Sequence, residues 1–242
     1  MFIYGVYYLN VMYDISSVSF KPLHRRTQLK VLDKYFKGLN AGNIEHMFLQ
    51  GGPGSGKTFC ITHMLNVCKI KFSYVDCTVY KTRSAIITKL LIDFGFPVSR
   101  RGVSFDYLYE KLDKYLSDNK VLVVLDDLHK LHKREMEVFN DLLDKTSVIV
   151  ISYDDSVLNR LDSKSVFLPI KVSFTSYRKS ELTDILKQRF GNSTGLEPIA
   201  NYAEQKKGNC RLAVECSKRI KQRWNKIDLN STQTWLNEIG ST

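Results

Sequence analysis

The chain has 242 residues, 43% hydrophobic and 25% charged. That is enough apolar material for one large domain, or a medium domain with a small one, and it excludes a disordered chain. Thirty-six Lys+Arg against 25 Asp+Glu give a formal charge of +11; this favours a polyanionic partner such as nucleic acid or anionic lipid over an acidic one, the alternative being a basic solvated face. The five cysteines, Cys60, Cys68, Cys77, Cys210 and Cys216, form no C-x-x-C pair. They speak against a disulfide framework or zinc site and for a reducing compartment.

In chain order, Met1–Met12 is apolar and aromatic without a basic leader, and Asp14 stops it short of the roughly 20 residues a membrane span needs. It reads as a buried first segment, and no membrane partner is expected. Met47–Gln50 leads into a glycine loop. Thr58–Cys68 reads as a helix, Phe72–Asp76 as a short strand, and Tyr80–Phe94 as a helix with Ile86, Ile87, Leu90 and Leu91 inward. Ser104 is placed to cap a helix carrying Phe105, Leu108, Leu112 and Leu116. Val121–Leu125 and Ser147–Ile151 are continuous apolar runs, as expected of strands covered on both faces, with helix Lys133–Leu143 between them. Lys171–Phe174 is a fifth strand. The alternation predicts βαβ units and a five-stranded parallel sheet flanked by helices, an α/β fold. From Tyr177 onward Ser180–Phe190, Glu197–Lys206 and Arg211–Trp224 are helical, with no strand between them. The expected division is an α/β nucleotide-binding domain at 1–176 and a small all-helical lid domain at 177–242.

Gly51-Gly52-Pro53-Gly54-Ser55-Gly56-Lys57-Thr58 fits G-x-x-x-x-G-K-[ST] at every fixed position. Glycines let backbone N–H groups turn toward phosphates, and the following helix presents its N-terminus to the same anion. Lys57 is expected to reach the β- and γ-phosphates of ATP, and Thr58 to bind Mg²⁺. Asp126, at the end of a buried strand, is expected in the Mg²⁺ shell. Asp127 is the candidate for orienting the attacking water, one methylene shorter than the usual Glu; hydrolysis is therefore expected to be weak or partner-dependent. Arg211 would start a lid helix.

These elements in this order resemble an AAA+ ATPase of the origin recognition complex and replication-licensing family, from about Ser19 to Glu238. Leu23-His24-Arg25-Arg26-Thr27-Gln28-Leu29 resembles the segment that lies near the adenine, which makes Arg25 a nucleotide contact by resemblance; Arg26 stands where an acid is usual. Gly208-Asn209-Cys210-Arg211-Leu212-Ala213 is similar to the second-sensor motif, which implies that Arg211 meets the phosphates. Phe174–Tyr177 and Glu181–Arg189 resemble the entry to the lid. The Cys77…Thr82-Arg83 segment and the short link between the last two strands look most like the fifth subunit of the complex.

The first-sensor residue, usually Asn, falls at the end of Ser147–Ser152, where Ser152 and Tyr153 are the candidates. Ser163-Lys164-Ser165 stands where a Ser-Arg finger is usual, and the family's winged-helix DNA-binding domain is expected to be missing before Thr242. The resemblance implies an ATP-binding subunit of a DNA replication initiator complex, with other AAA+ subunits as partners. Its place would be the nucleus in a eukaryote and the cytoplasm otherwise. The competing readings are a self-sufficient ATPase of the signalling (STAND) or helicase- and clamp-loader type, and a small-molecule kinase, for which no acceptor constellation is found. Lys206, Lys207, Lys218, Arg219, Lys221, Arg223 and Lys226, with Arg100 and Arg101, read equally as DNA-backbone contacts or as a solvated or partner-facing surface.

Overall fold

The structure is a computed structural model that describes residues 20–66, 70–98, 102–160 and 168–240. The expectations placed on Met1–Met12, Cys68, Arg100–Arg101 and Ser163–Ser165 lie outside those residues.

The five strands expected from the sequence form one parallel sheet. They are β1 (Met47–Gly51), β2 (Lys71–Asp76), β3 (Val121–Asp126), β4 (Ser147–Ser152) and β5 (Ile170–Phe174), in the spatial order β2-β3-β4-β1-β5. The apolar runs take inner positions: every residue of β3 and β4 is buried. β5 lies at an edge and buries only Val172 and Phe174.

Alternate residues feed the two faces of the sheet, as the two-residue strand period requires. Phe48, Val75, Val123, Leu125, Val148 and Val150 pack against α3 (Arg83–Asp93), α4 (Phe105–Asp118) and α5 (Lys133–Lys145). Met47, Leu49, Leu122, Val124, Ile149 and Ile151 pack on the other face against α1 (Arg26–Asn40) and α2 (Lys57–Leu65). Helix α1 was not foreseen as a helix, although its buried Leu32, Tyr35, Phe36 and Leu39 follow the i, i+3, i+4, i+7 spacing of an amphipathic face. Helix α3 begins three residues later than its apolar spacing suggests. Thr82 caps it by accepting the Ala85 N–H at 3.2 Å, whereas the Tyr80 N–H turns back to Asp76 O. Ser104 caps α4 as expected, accepting from Tyr107 N.

Beyond β5 the described residues are helical: α6 (Lys179–Phe190), α7 (Leu196–Gln205), α8 (Cys210–Trp224) and α9 (Leu229–Gly240). Leu182, Leu186, Leu196, Ile199, Ala213 and Ile220 close a core of their own. Helix α9 was not separated in the sequence; Asp228 and Ser231 start it by reciprocal bonds, Ser231 N–H to Asp228 Oδ1 and Asp228 N–H to Ser231 Oγ. No helix among the described residues is long and apolar enough to cross a membrane.

Candidate functional site

Because all five strands run parallel, Gly51, Asp76, Asp126, Ser152 and Phe174 end at one edge of the sheet, where open α/β sheets hold their ligands. The glycine loop leaves β1 there and turns into α2. A cavity of about 810 Å³ opens between this edge and the helical lid. Lys57, Thr58, Asp126 and Asp127 line it from the sheet side, and Arg189 and Arg211 from the lid side.

Gly56 takes a left-handed φ of 93° at the N-terminus of α2, a turn in which a side chain would be strained. Lys57 follows and is only 8% exposed. Its Nζ donates to Gly51 O at 2.6 Å and Gly52 O at 2.9 Å, folding back over the loop. Burial pulls its pKa below the usual lysine range; the Arg211 charge acts in the same sense, and Asp126 and Asp127 oppose it.

Asp126 is buried at the tip of β3. Its Oδ2 accepts from Thr58 Oγ1 at 2.9 Å and from the Tyr74 hydroxyl; its Oδ1 accepts the Asp127 N–H at 2.9 Å. Burial nonetheless raises its pKa, with help from Asp127 and Asp76, and outweighs the Tyr74 and Thr58 hydrogen bonds. A buried carboxylate in that condition is short of positive charge. Thr58 and Asp126 suit a magnesium ion, which commonly takes one or two protein oxygens and completes its shell with phosphates and water. Asp127 lines the cavity in a left-handed conformation, φ 55°, one that Asp tolerates better than most residues.

The lid touches the loop directly. Cys210 N–H donates to Gly54 O at 3.2 Å, and a Cβ on Gly54 would run into Asn209 Oδ1. Asn209 cannot easily give way, since the same oxygen caps α8 by accepting from Leu212 N. Gly208 is similarly confined, at φ 62°, where a Cβ would strike the backbone oxygen of Tyr177. The Gly208–Arg211 stretch therefore packs onto the glycine loop, and Arg211 stands in the cavity wall. Loss of its charge by Arg211→Ala is expected to leave the melting temperature of the nucleotide-free protein within about 2 °C and to weaken ATP by about tenfold, as one charge-assisted contact would. Calorimetric titration of both proteins measures this, and an unchanged affinity makes Arg211 an ordinary surface arginine.

Arg25 is the residue expected near the adenine by resemblance. It does not line the cavity. It is 2% exposed, and its guanidinium donates to Ser55 O at 3.1 Å, His24 O at 3.0 Å and Thr175 O at 2.7 Å while stacking 3.7 Å from the centre of the Tyr177 ring. With its donors turned to backbone carbonyls, Arg25 braces the glycine loop from behind. Ser152, a first-sensor candidate, is fully buried and bonded to His129 and Asp154; Tyr153, the other, is 54% exposed and lines the cavity. Among the clustered lid cations, Arg219, Arg223 and Lys226 are engaged by Glu215, Glu238 and Asp228.

Three participants escaped the sequence reading. Tyr74 and Asp126 share a sheet face only because β2 pairs with β3 in the register Asp76↔Asp126. Tyr177 and His129 reach the site through the lid and the turn after β3. A tyrosine in the Phe72–Asp76 run was the one visible signal.

A glycine loop after the first strand, an acid at the tip of the third and a helical lid over both define a P-loop AAA+ fold. A family model described as "AAA domain" matches residues 43–155. The chain is 34% identical to ORC1-type DNA replication protein 2 of Methanosarcina mazei, over 81% of this chain and 60% of that protein. Its fold matches Cdc6p from Pyrobaculum aerophilum at a TM-score of 0.76, with 24% identity over 93% of this chain and 71% of that one. It matches the Aeropyrum pernix ORC1 protein in complex with DNA equally, TM-score 0.76, with 21% identity over 89% and 65%. The structural likenesses support the P-loop AAA+ fold. The chain spans about 60% of the length of such curated relatives.

Proposed function

We propose that the chain is an ATP-binding AAA+ subunit of a DNA replication initiator, in which ATP with Mg²⁺ holds an assembled state and hydrolysis is weak or partner-dependent. The observation that carries this reading is the convergence of Lys57, Thr58, Asp126 and Arg211 on one cavity between sheet and lid. Backbone N–H groups of residues 54–58 would cradle the phosphates, with Lys57 released from Gly51 O and Gly52 O to meet them. Thr58 and Asp126 would hold Mg²⁺, which supplies charge neutralisation between the phosphates. Asp127 would orient water. A ligand gripped by loop and lid together stabilises the closed state it binds, which is how ATP acts as glue and switch. The proposed division into an α/β domain at 1–176 and a lid at 177–242 places that grip at their junction.

Other AAA+ subunits are the proposed partners, with DNA met through its backbone at the basic lid helices. The ORC1-type names of the relatives favour an initiator over a signalling ATPase or clamp loader. They do not extend to the fifth subunit, and this reading stops at the initiator family. With archaeal relatives the conditional localisation becomes cytoplasmic. Measuring ATP affinity and turnover on the isolated chain tests the proposal. Micromolar or tighter ATP with turnover far below the typical enzyme median of about 10 s⁻¹ is expected; fast turnover without DNA or partners points to a self-sufficient ATPase instead.

The Asp126 carboxyl gives a pH signature. Its folded pKa lies above the ordinary 3.8. Between the two values the folded state holds a proton that the unfolded state has lost. The contribution is therefore stabilising at low pH and disappears as pH rises through the folded pKa. In Mg²⁺-free buffer, the stability difference between wild type and Asp126→Asn is expected to shift against wild type as pH rises from 4 toward neutrality. Urea titrations across that range give the slope, and a flat difference contradicts it.

A further inference from the structure

Asp126 is held by a side chain from the neighbouring strand that the roles above leave without a task. Tyr74 lies on β2, two residues before the strand tip, and is 8% exposed. It pairs with Val124 of β3, one strand period before Asp126. Residues two apart point to the same face of a sheet, so Tyr74, Val124 and Asp126 all face the side that α2 covers. A phenol is long enough to span the two residues that remain along β3, and its hydroxyl donates to Asp126 Oδ2. Tyr74 does not itself line the cavity.

Donors from three elements meet on this carboxylate. Thr58 Oγ1 donates to Oδ2 at 2.9 Å, Tyr74 donates to the same oxygen, and the Asp127 N–H donates to Oδ1 at 2.9 Å. They differ in what carries them. The Asp127 N–H belongs to the backbone, and the Tyr74 ring is packed in the core with Leu122 and Val124. Thr58 sits on the first turn of α2, where its oxygen is itself wanted by the metal. A carboxylate turns broadly about its last side-chain bond unless both oxygens are held. Asp127 holds one oxygen. Tyr74 is the donor that holds the other without depending on Thr58. The plain alternative is that a buried tyrosine hydroxyl merely finds an acceptor. Backbone carbonyls are the usual acceptors for such donors, and Tyr35 follows that pattern by donating to Glu45 O at 3.0 Å. Tyr74 instead takes the carboxylate at the strand tip.

Resting on the nucleotide and Mg²⁺ reading above, we propose that Tyr74 is a positioning residue for the metal. From behind the cavity wall it fixes the Asp126 carboxylate in the orientation that side chain presents to the cavity. Thr58 can then turn its oxygen to Mg²⁺ without the carboxylate following. Side chains that orient a metal-holding group in this way commonly change metal affinity by 10- to 100-fold when removed.

Calorimetric titration of the full chain with ATP, in excess EDTA and again in Mg²⁺, tests this on wild type, Tyr74→Phe, Asp126→Asn and the double variant. Tyr74→Phe keeps the ring in the core and removes only the hydroxyl. It is expected to leave metal-free ATP affinity within about twofold of wild type while cutting the gain in affinity that Mg²⁺ brings by about tenfold. In the Asp126→Asn background the same substitution is expected to change that gain by less than about twofold, since no carboxylate is left to orient. Mn²⁺ bound to the ATP-loaded chain, followed by its electron paramagnetic resonance signal, is expected to weaken in parallel for Tyr74→Phe. A Mg²⁺ gain equal in wild type and Tyr74→Phe overturns the role. So does a larger gain in the variant, which would mean that the hydroxyl competes with the metal. An equal loss of affinity with and without metal, or the same loss of gain in the Asp126→Asn background, makes Tyr74 a support of the fold and rejects the proposal. Wild type that binds ATP but gains nothing from Mg²⁺ overturns the metal role alone. Failure of wild type to bind ATP at all defeats the nucleotide reading, and this role with it.

Discussion

Replacing Lys57 with alanine is expected to weaken ATP binding by at least about 100-fold while leaving the nucleotide-free fold intact. The two halves of this result have separate causes. In the nucleotide-free site the ammonium is buried and bonded to Gly51 O, Gly52 O and, at 3.5 Å, Ser55 Oγ, and burial lowers its pKa. A cation under that desolvation penalty contributes little net stability, so its removal costs the fold little. With triphosphate present the same ammonium would meet strong acceptors in a low-dielectric cavity. A charge-assisted contact of that kind contributes about 3 kcal/mol, or roughly a factor of 100 in affinity. Isothermal titration with ATP and a parallel thermal melt separate the two. A dissociation constant within threefold of wild type would sink the assignment of Lys57 to the phosphates.

The opposite pattern is expected for Arg25→Ala. Its guanidinium donates to backbone carbonyls and stacks on Tyr177. Truncation leaves Ser55 O and Thr175 O without their charged donor in a buried setting and removes the stack on Tyr177. Each lost bond to a charged group costs about 1.5–3 kcal/mol, so a loss of about 3–5 kcal/mol is expected. For a chain of this size that corresponds to roughly 10 °C in melting temperature. Arg25→Lys should recover only part of it, because a single ammonium cannot span carbonyls on separate segments as the planar guanidinium does. Differential scanning calorimetry decides: a melting temperature lowered by less than about 2 °C means that the brace contributes nothing. ATP affinity should fall as well, since Ser55 belongs to the phosphate loop, but only alongside the stability loss. The Lys57 and Arg25 variants together therefore distinguish contact from support.

The glycine loop was legible from its own letters because its chemistry is local. Eight consecutive residues carry the turn, the lysine and the threonine, and the strand and helix that flank them are set by short-range apolar periodicity. The same holds for the buried runs that became β3 and β4, and for the acids placed at the tip of β3. Helix α1 was legible too, in the spacing of Leu32, Tyr35, Phe36 and Leu39.

What the sequence could not decide is which distant side chains meet. Arg25 was assigned to the nucleotide by likeness of segment. The packing of α1, Thr175 and Tyr177 is what brings its guanidinium to three backbone carbonyls. Tyr74 reaches Asp126 only through the β2–β3 register, and Ser152 holds His129 only because β4 lies next to β3. Gly54 is confined by Asn209, 155 positions along the chain, through the docking of the lid. Sequence periodicity fixes which face of an element is buried, but strand order, register and lid placement come from packing the elements together. The amino-acid sequence by itself determined the glycine loop after the first strand and the acid at the tip of the third. Only the tertiary structure decided which residues brace that loop, because side chains far apart in the chain meet only once strand order, register and lid placement are set.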